Sequence, residues 1–410
     1  MSCRKILILA NSISLAHPTR MWKLACDLRD AGHHVEFATS EAFWKYLLPT
    51  RQDIKLHPIS SITPEEFNRR LFKTQFLFTS QEMERDFLED SRLIETIEPD
   101  IIIGDTRPTA LIPARMCGIP YFNMTQYHWA HGLENKDILP PVQAVLLFGR
   151  TISSLTSPLI TPFILKSMVD KANQFFCRHP LTKDARIPEF ESLSEFYLAG
   201  DYTLFADLHA LYPLAQLDQH QSFIAPLIWS NSETAWPDHW PHDFGGKPVA
   251  YVSMGSTGSY RTIPAVLEGL RMNGFQILLS GYGYNSYDLD LRDTYCAQFV
   301  PGDAAMKKAD LVVCNGGTGT TYHAISHGLP ILAVPQNMDQ SLHSYQLEQA
   351  GVARMIYADQ ISTQAVSEAV CDLMNLPNTK QALDMLQCGF KAETSSQITS
   401  LEALFEEAIG

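Results

Sequence analysis

CNGGTGTTYHAISHGLP, residues 314–330, is the stretch on which the reading of this chain turns. Before it stands a short apolar run, DLVVC (310–314), which reads as a buried strand. After the glycine-rich turn, TGTTYHAISH (318–327) reads as a helix, closed by Gly328 and Pro330. A strand, a glycine turn and a helix start leave backbone N–H groups free at the turn. Together with the helix dipole they can bind an anion. Gly316 and Gly317 would let a ligand approach the backbone, and Thr318, Thr320 and Thr321 would add hydroxyls. A tight structural turn fits the same residues. A metal site fits less well: His323 and His327 are four apart but enclose no H-E-x-x-H.

Outward from that stretch the chain alternates strand and helix. KILILA (5–10) reads as a buried strand, and residues 19–31 place Met21, Leu24, Ala25 and Leu28 on one helix face. Gly32 ends that helix, and HVEFAT follows as a strand. PDIIIGD (99–105), IPYFNM (119–124) and DYTLFA (201–206) continue the series. KPVAYVSMGS (247–256) restarts it, with FQILLS, CAQFV, DLVVC and PILAV as further strands. Continuous apolar strands separated by helices predict parallel sheets covered on both faces. With 410 residues the chain suits two domains of roughly 200 residues each. The expected division is an N-terminal Rossmann-like domain over 1–215, a linker region over 216–247 rich in Pro, Trp, His and Asp, a C-terminal Rossmann-like domain over 248–385, and a helix over 386–410 packing back toward the first domain. Residues 141–173 are apolar enough either to line an acceptor pocket or to pack in a core, and Pro158 and Pro162 argue against one straight helix there.

Thirty-one basic and 45 acidic residues give a net charge of -14, which argues against nucleic acid as a partner and against charge-driven docking on an anionic membrane. None of the eight cysteines forms a C-x-x-C pair, and no secretory signal precedes KILILA, so a reducing, cytoplasmic setting is expected. No G-x-G-x-x-G follows the first strand and no G-x-S-x-G occurs, which disfavours a dinucleotide oxidoreductase and a serine hydrolase. Asp288-Leu289-Asp290 spells D-x-D but reads as loop.

The longer stretch NGGTGTTYHAISHGLPILAVPQNMDQ (315–340) resembles the donor-binding signature of family 1 glycosyltransferases, enzymes of the GT-B fold that use nucleotide sugars. The resemblance runs from residue 5 to about 390 and is strongest over 296–351. It implies that Gly317, Thr318, Gly319 and Thr320 hold the diphosphate, with Gly255 and Ser256 nearby. It implies that Asp339 and Gln340 bond sugar hydroxyls, that Phe299 stacks on the base and that Val300 meets the base through its backbone. Asn315 stands where the family has a histidine, Gly302 where it has a glutamine, and His343 where asparagine is frequent. Transfer to a hydroxyl needs a base; the resemblance implies His17 for that role, oriented by Asp105. The expected reaction is inverting and metal-independent, with no cofactor beyond the nucleotide-sugar donor. The expected partners are a UDP- or TDP-sugar and a small, apolar acceptor, with no stable membrane insertion. Two alternatives stay open. One is transfer to a membrane lipid, for which FNRRLFKTQFLF (67–78) would supply an exposed apolar and basic patch; the other is a non-catalytic nucleotide-sugar-binding protein.

Overall fold

The computed structural model describes residues 3–131, 145, 147–229, 235–238, 240–255, 260–281 and 289–410. The chain divides into two compact units. The first comprises residues 1–209, 214–229 and 393–410; the second comprises 210–213 and 230–392.

The first unit is built on seven parallel strands: β1 (Lys5–Ala10), β2 (His34–Thr39), β3 (Lys55–Pro58), β4 (Ile101–Asp105), β5 (Tyr121–Thr125), β6 (Tyr202–Ala206) and β7 (Gln221–Ile224). Their order is β3-β2-β1-β4-β5-β6-β7. The apolar runs of β1 and β4 are wholly buried because helices cover both faces, which is why they show no alternation. Helix α1 (Ala16–Asp30) follows β1 and buries Met21, Leu24, Ala25 and Leu28, the face read from the sequence. Strand β7 lies inside the stretch expected to be linker. QSFI was passed over because it is short and sits among polar residues, as befits an edge strand.

Helix α2 (Arg150–Phe176) continues through Pro158 and Pro162 as one helical element; of the stretch 141–173, residues 141–144 and 146 lie outside the described residues. A proline costs a helix one N–H donor but its fixed φ is helical. Here Ser154 and Pro158, whose carbonyls lose their donors, are exposed to water. Nor does the first half of α2 serve as core. Ile152, Leu155, Leu159 and Phe163, spaced three and four apart, are 56%, 74%, 72% and 76% exposed, while Met168, Val169 and Ala172 further along are buried. By length and composition α2 could cross a membrane.

The second unit carries six parallel strands in the order β10-β9-β8-β11-β12-β13. They are β8 (Val249–Ser253), β9 (Gln276–Ser280), β10 (Thr294–Ala297), β11 (Leu311–Cys314), β12 (Ile331–Ala333) and β13 (Ala353–Met355). Among its helices are α3 (Gly302–Met306), α4 (Thr318–Ser326) and α5 (Met338–Gln349). Strand β10 ends at Ala297, short of the expected 300, so Phe299 lies in the following turn. The last helix, α6 (Thr379–Ile409), starts in the second unit and ends in the first. There Leu401 and Phe405 join the core, with the Phe405 ring edge-on to Phe122 at 5.2 Å.

Both sheets reverse direction at the same point, between the first and fourth strands of each unit. Chain crossovers leave on opposite faces there, so a crevice opens beyond the carboxyl ends of the strands.

Candidate active site

In the first unit that reversal lies between β1 and β4. Ala10 pairs with Asp105, the last residue of β4, and the Asn11 N–H donates to the Asp105 carbonyl at 3.1 Å. His17 sits in the first turn of α1. Its Nδ1 is 3.0 Å from Asp105 Oδ1. Arg20, one turn along, donates from Nε to Asp105 Oδ2 and from Nη2 to Oδ1, both at 2.6 Å. The Thr106 hydroxyl donates to the same Oδ1 at 3.1 Å, from a backbone held at φ 52°.

Asp105 is fully buried. Burial pushes its carboxyl up, but the Arg20 charge and then the His17 contacts outweigh burial and hold it well below the usual carboxylate range. With its proton on Nδ1, His17 donates to Asp105 Oδ1 and carries its lone pair on Nε2; Arg20 Nη2 also lies 3.1 Å from that Nδ1. That is the tautomer a general base needs. The structure thus brings His17 and Asp105 together. It adds Arg20, which the sequence reading missed although the i, i+3 spacing from His17 puts both on one helix face.

In the second unit the reversal lies between β8 and β11, and the turn is nearly bare of side chains. Gly255 follows β8 with φ 61°; Ser256 lies outside the described residues. A Cβ on Gly255 would stand 3.4 Å from Asn315 Nδ2, so these two turns touch. Asn315 is buried and its Oδ1 accepts from the Gly317 N–H at 3.1 Å. Gly316 has φ 80°, and a Cβ there would lie 2.1 Å from Ser344 Oγ. Gly317 caps α4 without any side-chain cap. Helix geometry therefore leaves the N–H groups of Thr318, Gly319 and Thr320 as donors without partners inside the helix. Thr321, expected to offer its hydroxyl, is instead buried. Its Oγ1 bonds the Gly317 carbonyl at 3.1 Å and meets His343 Nε2 at 2.8 Å. Cys314, which ends β11, is fully buried, and burial pushes its thiol up to about 12.

Asp339 and Gln340 begin α5, capped by Asn337, whose side chain accepts from the Gln340 N–H at 3.0 Å. Asp339 is half-buried, whereas Gln340 is buried and its Oε1 accepts from the Gln336 N–H at 2.8 Å. Gln340 thus spends its acceptor on the loop before the helix. Phe299 is 38% exposed, leaving ring surface for stacking, while the Val300 side chain is buried. Further down α4, burial and then the neighbouring His327 push His323 down to about 4.

Two other motifs fall away as sites. Asp290 of the D-x-D is paired with Arg292 at 2.5 Å, and Asp288 lies outside the described residues. Of its large apolar side chains the stretch 67–78 exposes Phe72 alone, beside the exposed Lys73. Arg69 and Arg70 pair with Glu66, Arg70 also with Glu82, and Phe76, Leu77 and Phe78 are buried.

Known glycosyltransferases resemble this chain in sequence and in fold. Residues 251–398 match the glycosyltransferase family 28 C-terminal domain. Over 390 residues the chain is 29% identical to a PGL/p-HBAD biosynthesis rhamnosyltransferase of Mycobacterium bovis (strain BCG / Pasteur 1173P2), covering 94% of this chain and 84% of the relative. The glycotransferase of kitacinnamycin superposes with a TM-score of 0.75 at 18% identity over the whole of both chains. The spinosyn rhamnosyltransferase SpnG complexed with thymidine diphosphate gives 0.68 at 16% identity, over 97% of this chain and 100% of that one.

Proposed function

We propose, for a chain that is a GT-B glycosyltransferase carrying a glycosyltransferase family 28 C-terminal domain, that it moves a sugar with inversion from a UDP- or TDP-sugar to a hydroxyl on an apolar acceptor. The observation that carries the reading is the 3.0 Å contact of His17 with an Asp105 carboxylate fixed by Arg20. The acceptor hydroxyl attacks the anomeric carbon as its proton passes to His17 Nε2. The carbon–oxygen bond to the nucleoside diphosphate breaks and the diphosphate leaves with the electron pair. Asp105 stabilises the imidazolium that forms, and the N–H groups at the start of α4 take the charge on the leaving diphosphate. Thr318, Gly319 and Thr320 are the diphosphate contacts in this reading, with Gly317 letting the ligand approach beside them, Phe299 and Val300 hold the base, and Asp339 and Gln340 read the sugar. No metal takes part in the chemical step.

A specific observation favours a lipid-like acceptor. The exposed stripe on α2 offers an apolar surface where a soluble protein ordinarily shows polar side chains, and the M. bovis relative is named for PGL/p-HBAD biosynthesis. The eight cysteines are all free, which suits the cytoplasmic setting we assign.

The test is nucleotide release from TDP- and UDP-sugars, TDP first because the SpnG neighbour holds thymidine diphosphate. Hydroxylated aromatic and long-chain acceptors are compared, at saturating donor, with and without EDTA, on wild type and His17→Ala. Acceptor-dependent release that survives EDTA and is lost in His17→Ala, with donor binding retained, supports the reading. Equal turnover in the variant overturns the base; donor binding without turnover by either protein supports a binding protein instead.

A further inference from the structure

We propose that Asp303, His323 and His327 form a divalent-cation site of the zinc class, separate from the transfer chemistry. His323 and His327 lie four apart and so share one face of α4, and α3 brings Asp303 against that face. His327 Nε2 is 3.1 Å and His323 Nε2 3.8 Å from Asp303 Oδ1, and the three ligand atoms lie within 4.8 Å of one another.

The hydrogen bonds behind the cluster decide which atoms face it. The Ser326 hydroxyl donates its one proton to the His323 carbonyl at 2.7 Å. His327 Nδ1 lies 3.1 Å from that carbonyl and 3.2 Å from Ser326 Oγ, so both of its neighbours are acceptors. Nδ1 must therefore carry a proton, and in the neutral ring Nε2 is a bare lone pair. That lone pair confronts a carboxylate oxygen across 3.1 Å, two acceptors with no proton between them. A cation has to sit there: either a second proton on the ring or a metal ion. A ligating histidine whose other nitrogen donates to a backbone carbonyl is the usual support of a bound metal.

Two imidazoles and one carboxylate with a position left for water is a zinc-type donor set, which cobalt and nickel also accept. Asp303 keeps its other oxygen, Oδ2, for Lys307 at 2.5 Å, so Oδ1 is available. Gly302 also contributes: a Cβ there would stand 3.4 Å from His323 Cε1, and its absence leaves that side of the ring open. An ion at this point would join α3, which follows Phe299 and Val300, to α4, whose first turn we assign to the diphosphate. Only that last link rests on the proposed function.

The experiment uses the full chain stripped with EDTA and no donor present. Co2+ is titrated while its visible absorption is followed, and Zn2+ is titrated by calorimetry. One saturable equivalent is expected, without thiolate charge-transfer bands. His327→Ala and Asp303→Asn should each weaken it at least roughly tenfold, with circular dichroism and TDP binding unchanged, while Asp290→Asn should leave it intact. Absence of saturable binding would overturn the site, as would equal affinity in a His323→Ala/His327→Ala double variant. So would a His327 ring shown by nitrogen chemical shifts to be an imidazolium at neutral pH in the presence of Zn2+. Loss of transferase activity with metal binding intact would instead count against the proposed function alone.

Discussion

The turn between β1 and α1 and the turn between β11 and α4 each lie beside the point where the strand order of their sheet reverses, one after a first strand and the other after a fourth. One is made of side chains: His17, Arg20 and Thr106 converge on a buried carboxylate. The other is made of backbone: glycines, an asparagine turned into its own loop, and a helix start with no side-chain cap. On the proposed function the same architecture serves two chemistries. A proton acceptor needs a titratable ring held in one tautomer, whereas an anion cradle needs N–H groups that nothing else has claimed.

The contrast is broken most severely by His17→Ala. It should lower turnover by about 10^2–10^4-fold while TDP binding, measured by calorimetry, stays the same. Arg20→Met comes next, because it strands a buried carboxylate; about 3 kcal/mol of stability should be lost, read from urea unfolding. The sign with pH follows from Asp105. Its carboxyl is depressed in the folded state, so its contribution is present where unfolded carboxylates are ionised and is lost as pH falls below about 4. The gap between wild type and Arg20→Met should therefore be widest near neutrality and narrow in acid.

On the backbone side, Gly316→Ala should cost about 1–3 kcal/mol and weaken TDP binding, since φ is 80° and Ser344 Oγ occupies the place of the new methyl. Gly319→Ala, with nothing within 4 Å of its Cβ, should leave stability nearly unchanged and so sharpen the comparison. The smallest effect on the fold lies outside both turns. Leu155→Glu with Leu159→Glu should shift stability by no more than about 0.5 kcal/mol, yet raise KM for long-chain acceptors and spare short ones.

Much of this was legible in the sequence because the signals were local. Buried parallel strands announce themselves as apolar runs, and the Asn315–Gln340 stretch spaces its glycines, prolines and Asp339 as the fold requires. His17 and Asp105 are singled out by the family resemblance, and the structure sets them 3.0 Å apart. What escaped reading depended on partners distant in sequence. Thr321 could be assigned to a ligand only as long as His343 was not known to pack against it. Asp303 lies 20 residues before His323, and nothing in the intervening letters says that α3 returns to that face of α4. In α2 the two prolines do not end the helix, and the carbonyls they leave without donors belong to exposed residues.

Helix α6 carries a consequence for anyone recombining such chains. The unit that holds the glycine-rich turn is encoded as an insert, since the last eighteen residues, 393–410, belong to the first unit. A chimaera spliced at one crossover would take its glycine-rich unit from one parent and, unavoidably, a piece of the other unit's interior with it. Leu401 and Phe405 would then be foreign plugs in the socket beside Phe122. Exchange of donor specificity therefore calls for two junctions, one near residue 230 and one near 392, so that each parent keeps its own closing segment.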